Sequence, residues 1–375
     1  MTATTRPQGG SVSEPTLYVA FELSLKQWKL AMTSGFGVEP WVRTVAAGDL
    51  GAVRRIMAEA RVRFGLGARM QVVSCDEAGR DGFWIHRALI GLGVQNRVVD
   101  SASIEVSRRA RRAKTDRLDA LKLVRMLVRV CAGEAGVWRE VRVPSAEAEA
   151  ARHVSRERAA LVQDHTRLIN QMRGWLATWG AQLPRARAGT WWTQVRTWAD
   201  AALPRELQER LARAAERLAL LETQIATLDR TQTAAIAAAA PTSAVKRLAQ
   251  VRGVGVSGAS VLVAEGLIWR EFRNRREIGG FLGFAPTPFQ SGEVTHDQGI
   301  SRAGNPRLQA ISVQLAWNWV RWQPESALTR WFHAFATTQR LRRVGIVALA
   351  RKLLIALWRY STTGVVPTGA VLKAA

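Results

Sequence analysis

Residues 17–45, LYVAFELSLKQWKLAMTSGFGVEPWVRTV, decide the fold of the first part of the chain. Apolar residues concentrate at 17–23, 27–33 and 41–45, with turn residues between them, so the segment reads as a three-stranded meander. Helical spacing follows at 50–64. Met70 to Ser74 is apolar and β-branched and reads as a buried strand. A helix at 82–91 and a short strand at 95–99 complete the pattern. A meander continued by strands alternating with helices predicts a mixed α/β sheet.

Beyond this sheet the chain changes character. Ser107 to Lys114 carries Arg108, Arg109, Arg111, Arg112 and Lys114, and leads into a helix at 115–130. Residues 145–235 are rich in Ala, Arg, Glu, Leu and Gln, with helical periodicity and no strand signal. Pro204 suits the start of a helix. Leu, Ile and Ala recur at helical spacings over 207–228, the pattern of an antiparallel helical pair or coiled coil. From about residue 243, LAQVRGVGVSGASVLVAEG reads as helix, glycine turn, helix, similar to a helix-hairpin-helix. The expected organisation is a disordered tail at 1–15, an α/β domain at 16–140, a helical coiled-coil region at 141–242 and an α-rich C-terminal domain at 243–375.

Charge narrows the partners. The 375 residues hold 54 Lys and Arg against 30 Asp and Glu, a formal net charge of +24. Such an excess repels itself in a compact chain unless a polyanion is bound, which points to nucleic acid. Two cysteines without a CxxC pair exclude a disulfide framework. The first residues, MTATTRPQGGSVSEPT, lack the apolar core of a signal peptide, and no apolar run reaches a membrane span. The apolar run 344–358 is broken by Arg351 and Lys352 and reads as a buried amphipathic helix. The expected setting is cytoplasmic and nucleoid-associated, with no membrane partner.

Four acids share a layout that suits chemistry. Glu22 ends the first strand, Glu77 follows the buried strand, and Asp116 and Asp119, three apart, share one helical face. Carboxylates that converge repel one another unless a hard cation such as Mg²⁺ lies between them. Two such ions can clamp the attacking and leaving oxygens of a phosphodiester. Asp76, beside Glu77, belongs to the opposite strand face.

Three segments carry a resemblance: YVAFELSLKQW, VSCDEAGRDGFWIHRAL and ARRAKTDRLDALKLVRML. They are similar to the RuvC-like, RNase H-type domain of transposases of the insertion sequence 110 family. That family carries Asp, Glu, Asp and Asp, the last two in a K-T-D-x-x-D-A motif. The resemblance implies a metal site of Glu22, Glu77, Asp116 and Asp119, holding Mg²⁺. The first position departs, with Glu22 where the family has Asp. Its extra methylene moves the carboxylate by roughly 1.5 Å.

The stretch FLGFAPTPFQSGEVTHDQGISRAGNPRLQAISVQLAW resembles the C-terminal domain of the same family, which uses a serine nucleophile. Two serines compete. Ser291 lies in a Gln-Ser-Gly turn whose glycine permits close approach of DNA. Ser301 could cap the helix beginning near Pro306 or bond a phosphate. The family pattern favours Ser291. Arg302, Asn305 and Arg307, with Ser301 and the basic run before Asp116, are suited to phosphate contacts. Trp317, Trp319 and Trp322 stand on the following helix, where the core is the expected place for them.

The resemblance implies a transposase that exchanges DNA strands through a phosphoserine intermediate. It also implies a structured non-coding guide RNA, donor and target DNA, and a homo-oligomer, dimer or tetramer, in the synapse. Arg152, Arg156, Arg158, Arg167 and Arg173, spread along the helical section, suit a long folded RNA. Two rival readings remain. One is a junction nuclease that uses the acids with water as nucleophile. The other is a nucleic-acid-binding protein that has lost activity, a reading that rests on Glu22.

Overall fold

The computed structural model describes residues 15–79, 82–104, 115–267, 272–291, 294–301 and 304–373; at 102, 287–291 and 294–298 it describes the backbone alone. The chain divides into two compact units, Met1–Pro144 and Ser145–Ala375.

The first unit is built on a five-stranded sheet of order β3-β2-β1-β4-β5. Strands β1 (Thr16–Leu23), β2 (Gln27–Thr33) and β3 (Trp41–Ala46) form the antiparallel meander that the sequence predicts. Strand β4 (Gln71–Glu77) then pairs parallel to β1, and β5 (Gln95–Val99) parallel to β4. This mixed sheet is consistent with an RNase H-like domain. Helices α1 (Leu50–Arg63) and α2 (Trp84–Gly91) cover one face. There Leu17, Val19 and Phe21 of β1 pack with Val53, Met57, Ile85 and Leu89. Helix α3 (Asp116–Cys131) covers the other face. The strands present small residues to it, Ala20, Ala31 and Cys75, which lets the helix come close. The Cys75 Sγ stands 3.9 Å from the carbonyl oxygen of Leu123.

In the second unit, α4 (Ala146–Ala177) and α5 (Arg205–Ala238) form an antiparallel pair. Two contacts give the register: Arg158 pairs with Asp229, and His165 meets Glu222 at 3.2 Å. Seven residues along α4 match seven back along α5. Leu168, Met172 and Leu176 of α4 meet Leu211, Ala214 and Leu218 of α5, closed by Trp191 and Leu203 of the connecting segment. Pro204 is the residue that caps α5 rather than its first helical residue.

The rest of the unit has a separate core. Helices α6 (Ala244–Gln250) and α7 (Gly255–Leu262) flank the glycine turn, and a π-helical turn, Val263–Leu267, extends α7. Gly253 needs its positive φ of 90°, and a Cβ there would stand 3.3 Å from the Trp322 side chain. The turn thus packs on its own unit. Helix α8 (Arg275–Phe281) follows, then a two-stranded antiparallel ribbon, β6 (Pro286–Ser291) and β7 (Val294–Ile300). Helices α9 (Pro306–Trp322), α10 (Ala327–Phe335) and α11 (Gln339–Thr363) end the unit. Leu349, Leu353, Leu357 and Tyr360 form the buried stripe of α11 expected from its sequence. Among the described residues, no helix is long and apolar enough to cross a membrane.

Candidate active site

Strand alternation fixes where the first two acids stand. Glu22 is two residues beyond Ala20, and Glu77 two beyond Cys75, so both lie on the face covered by α3. Phe21 and Asp76 are register partners in the adjacent parallel strands. Glu22 and Glu77 therefore follow side by side at the same end of the sheet. Helix α3 begins near that end: Leu123 lies at Cys75, and Asp119 is one turn before Leu123. Thr115 caps the helix by accepting from the Leu118 N–H at 3.3 Å, which places Asp116 and Asp119 in the first turn. The positive end of the helix dipole favours both charges there.

Glu77 and Asp116 are exposed, while Glu22 and Asp119 are half-buried. The four acids thus stand toward one end of the inner strands β1 and β4, yet they do not form one tight cluster. Among the described residues, no group of three or more His, Cys, Asp or Glu is close enough to hold a metal ion.

Asp76 points to the opposite face, as alternation requires. It is 2 % exposed and accepts from Asn96 Nδ2 at 2.6 Å. Burial, offset in part by that hydrogen bond, pushes its carboxyl up to about 6.

The Gln-Ser-Gly segment lies where β6 gives way to β7: Ser291 is the last residue of β6, its backbone paired with that of Val294. Ser301 is exposed, and its N–H donates to the Ala285 carbonyl at 3.0 Å, closing the ribbon base. The cap of α9 is Asn305, not Ser301: Asn305 Oδ1 accepts from the N–H groups of Arg307 and Leu308. Arg307 is exposed in the first turn of α9. Arg108, Arg109, Arg111, Arg112, Lys114 and Arg302 lie outside the described residues.

Comparison with known proteins bears on this arrangement. Residues 62–179 match a family model named DEDD_Tnp_IS110 and described as a transposase. Residues 245–330 match one described as the transposase IS116/IS110/IS902 family. A Sinorhizobium fredii protein described as a transposase, y4rJ, is 41 % identical over 375 residues, covering 95 % of this chain and 94 % of its own. The chain belongs to the IS110 family of transposases. A Pseudomonas aeruginosa protein described as a family 20 transposase is 32 % identical over 59 % of this chain and 65 % of its own. A Yersinia enterocolitica transposase for insertion sequence element IS1328 is 28 % identical over 56 % of this chain and 62 % of its own. The transposase is an enzyme that acts on DNA, and its DEDD domain implies use of a divalent metal.

One group in the transposase has no signal in the sequence. Glu265, in the π-helical turn, is 1 % exposed. Arg156 donates to both its oxygens, at 2.8 and 3.1 Å, and Asn305 Nδ2 donates at 3.0 Å. Burial alone would raise the Glu265 carboxyl, but these hydrogen bonds and the Arg156 and Arg307 charges hold it below the usual range. Asn305 thus uses its amide oxygen to cap α9 and one amide N–H to hold Glu265. Of the five helical arginines, Arg152 is buried, Arg156 pairs with Glu265 and Arg158 with Asp229, while Arg167 and Arg173 are exposed. Only Trp319 of the three tryptophans is core, donating to Ser326 Oγ at 2.7 Å; Trp317 and Trp322 are partly exposed.

Proposed function

We propose that the transposase exchanges DNA strands with Ser291 as nucleophile, assisted by a metal site of Glu22, Glu77, Asp116 and Asp119. The observation that supports this reading is the placing of the four acids at one end of the sheet, two on adjacent strand ends and two in the facing helix turn. Their carboxylate oxygens are hard donors and suit Mg²⁺. When bound, the ion would stabilise charge on the attacking and leaving oxygens of the phosphodiester.

The serine step is balanced without an external energy source. The Ser291 oxygen attacks phosphorus and gives up its proton, a new O–P bond forms, and the bond to one DNA oxygen breaks. That oxygen leaves as a hydroxyl. The reverse reaction with another DNA end reseals the strand, because the ester retains the energy of the broken bond.

Following the family resemblance, the reading extends to a homo-oligomeric synapse of donor and target DNA and to a structured non-coding guide RNA, in a cytoplasmic, nucleoid-associated setting. The guide would choose the target by base pairing. The test is recombination between donor and target plasmids by protein produced with and without the flanking non-coding RNA. The reading expects activity that needs that RNA and a divalent metal. Full recombination from RNA-free protein would remove the guide from it, and full activity of Asp116→Asn would remove the metal site.

A further inference from the structure

A second basic feature lies at the foot of the β6–β7 ribbon. A groove of about 770 Å³ opens between α8, the ribbon base and α11. Among the described residues thirteen line it, of which five are cations, Arg275, Arg276, Arg343, Arg351 and Lys352, and none is acidic. Helix α11 supplies three of these and contains no carboxylate in its 25 residues. One cation is held by a glycine. A Cβ on Gly279 of α8 would stand 2.7 Å from Arg351 Nε, so the missing side chain is what lets that guanidinium lie against the helix. Lys352 Nζ sits 4.6 Å over the Trp331 ring.

The floor is of the opposite character. Phe284, Ile300, Val344, Val347 and Ile355 line it. Val344 is 53 % exposed, an apolar side chain left in water on a strongly basic wall. A purely electrostatic contact needs no apolar floor, and an apolar ligand needs no cations. An unpaired nucleic-acid strand supplies both, phosphates for the rim and the face of a base for the floor. A duplex can offer its phosphates, but its bases are stacked inside. The cavity volume lies in the range of small-ligand sites, enough for one or two nucleotides.

We infer that this groove holds an unpaired DNA strand beside the exchange site. The inference rests on the reading of the chain as a strand-exchange enzyme, in which cut strands leave their duplex. Pro286, which lines the groove, is five residues from Ser291 on the same strand, about 17 Å of extended chain. That is a few nucleotides of an extended DNA strand.

The test uses the full-length protein and fluorescence anisotropy with three probes: a labelled oligothymidine, a duplex of equal length, and an oligouridine. Arg343→Ala/Lys352→Ala should weaken oligothymidine binding about tenfold and lower its salt slope by about 1.4, two phosphate contacts at about 0.7 each. Arg343→Ala alone should lower the slope by half as much, should the double variant fold poorly. Val344→Ser should weaken oligothymidine binding about threefold and leave duplex binding unchanged, which removal of a charge could not do. An unchanged salt slope, or equal loss for duplex and single strand with Val344→Ser, would overturn the inference. A loss confined to oligouridine would assign the groove to RNA and overturn it as well. Ser291→Ala should keep full binding to all three probes, so failure of the serine chemistry and failure of the groove read out separately.

Discussion

Replacing Arg156 with Ala leaves the Glu265 carboxylate 1 % exposed and without the guanidinium that pairs with it. Breaking a buried pair from one side costs about 3–5 kcal/mol. The lower end applies here, because Asn305 still donates one hydrogen bond and the carboxylate can take up a proton. In a unit of this size 1 kcal/mol corresponds to about 2–4 °C, so Arg156→Ala should lower its melting temperature by about 6–12 °C. Glu265→Gln should cost less, about 2 kcal/mol, since Arg156 is 38 % exposed and can turn to water. The double variant Arg156→Leu/Glu265→Leu should cost less than Arg156→Ala alone, because the buried carboxylate is removed together with its partner. The pH dependence has a definite sign. In the native protein Glu265 titrates below its ordinary value, so its contribution is present above that value, near 4.5, and lost as pH falls through the folded value. In Arg156→Ala burial dominates and raises the carboxyl, so the deficit should be largest at pH 7 and shrink toward pH 5. Thermal unfolding followed by tryptophan fluorescence reads both effects. A deficit that stays constant or grows on acidification, or costs that simply add in the double variant, would refute the reasoning.

Three further outcomes follow from the geometry. A Cβ on Gly304 would lie 2.5–2.7 Å from the backbone of Leu282 and Gly283, where no side chain can move aside; Gly304→Ala should cost about 1–3 kcal/mol in thermal unfolding. Asp116→Asn and Asp119→Asn should each reduce strand cleavage at least a hundredfold, as an essential metal ligand would, while filter binding of DNA changes little. Glu22→Asp should leave or raise recombination, and a large gain would show that the longer side chain handicaps the native site.

Much of the first unit was legible because its signals are local. Two-residue alternation and turn residues mark β1 to β3, and alternation alone sends Glu22 and Glu77 to one face and Asp76 to the other. The i, i+3 spacing of Asp116 and Asp119 is likewise a property of the helix itself. The ribbon β6–β7 was not legible. Pro286 and Pro288 argue against a strand, and they are tolerated here because a two-stranded ribbon has free edges. The π-helical turn holding Glu265 was invisible for another reason. Its partner Arg156 lies 109 residues away, and a lone Glu after an apolar run carries no spacing that points to it. The same distance effect hid the partners of Arg156 and Arg158, Glu265 and Asp229, which lie 109 and 71 residues away.

The serine chemistry is open to direct measurement. End-labelled donor and target DNA would be incubated with the full-length protein, Mg²⁺ and the flanking RNA, then quenched with denaturant. Protein–DNA adducts would be digested and the modified peptide sequenced by mass spectrometry. The expected result is a nucleotide ester on Ser291, absent in Ser291→Ala although DNA binding persists. Cleaved DNA with no covalent protein would contradict it in favour of hydrolysis by water, and an ester on Ser301 would contradict the assignment of the nucleophile.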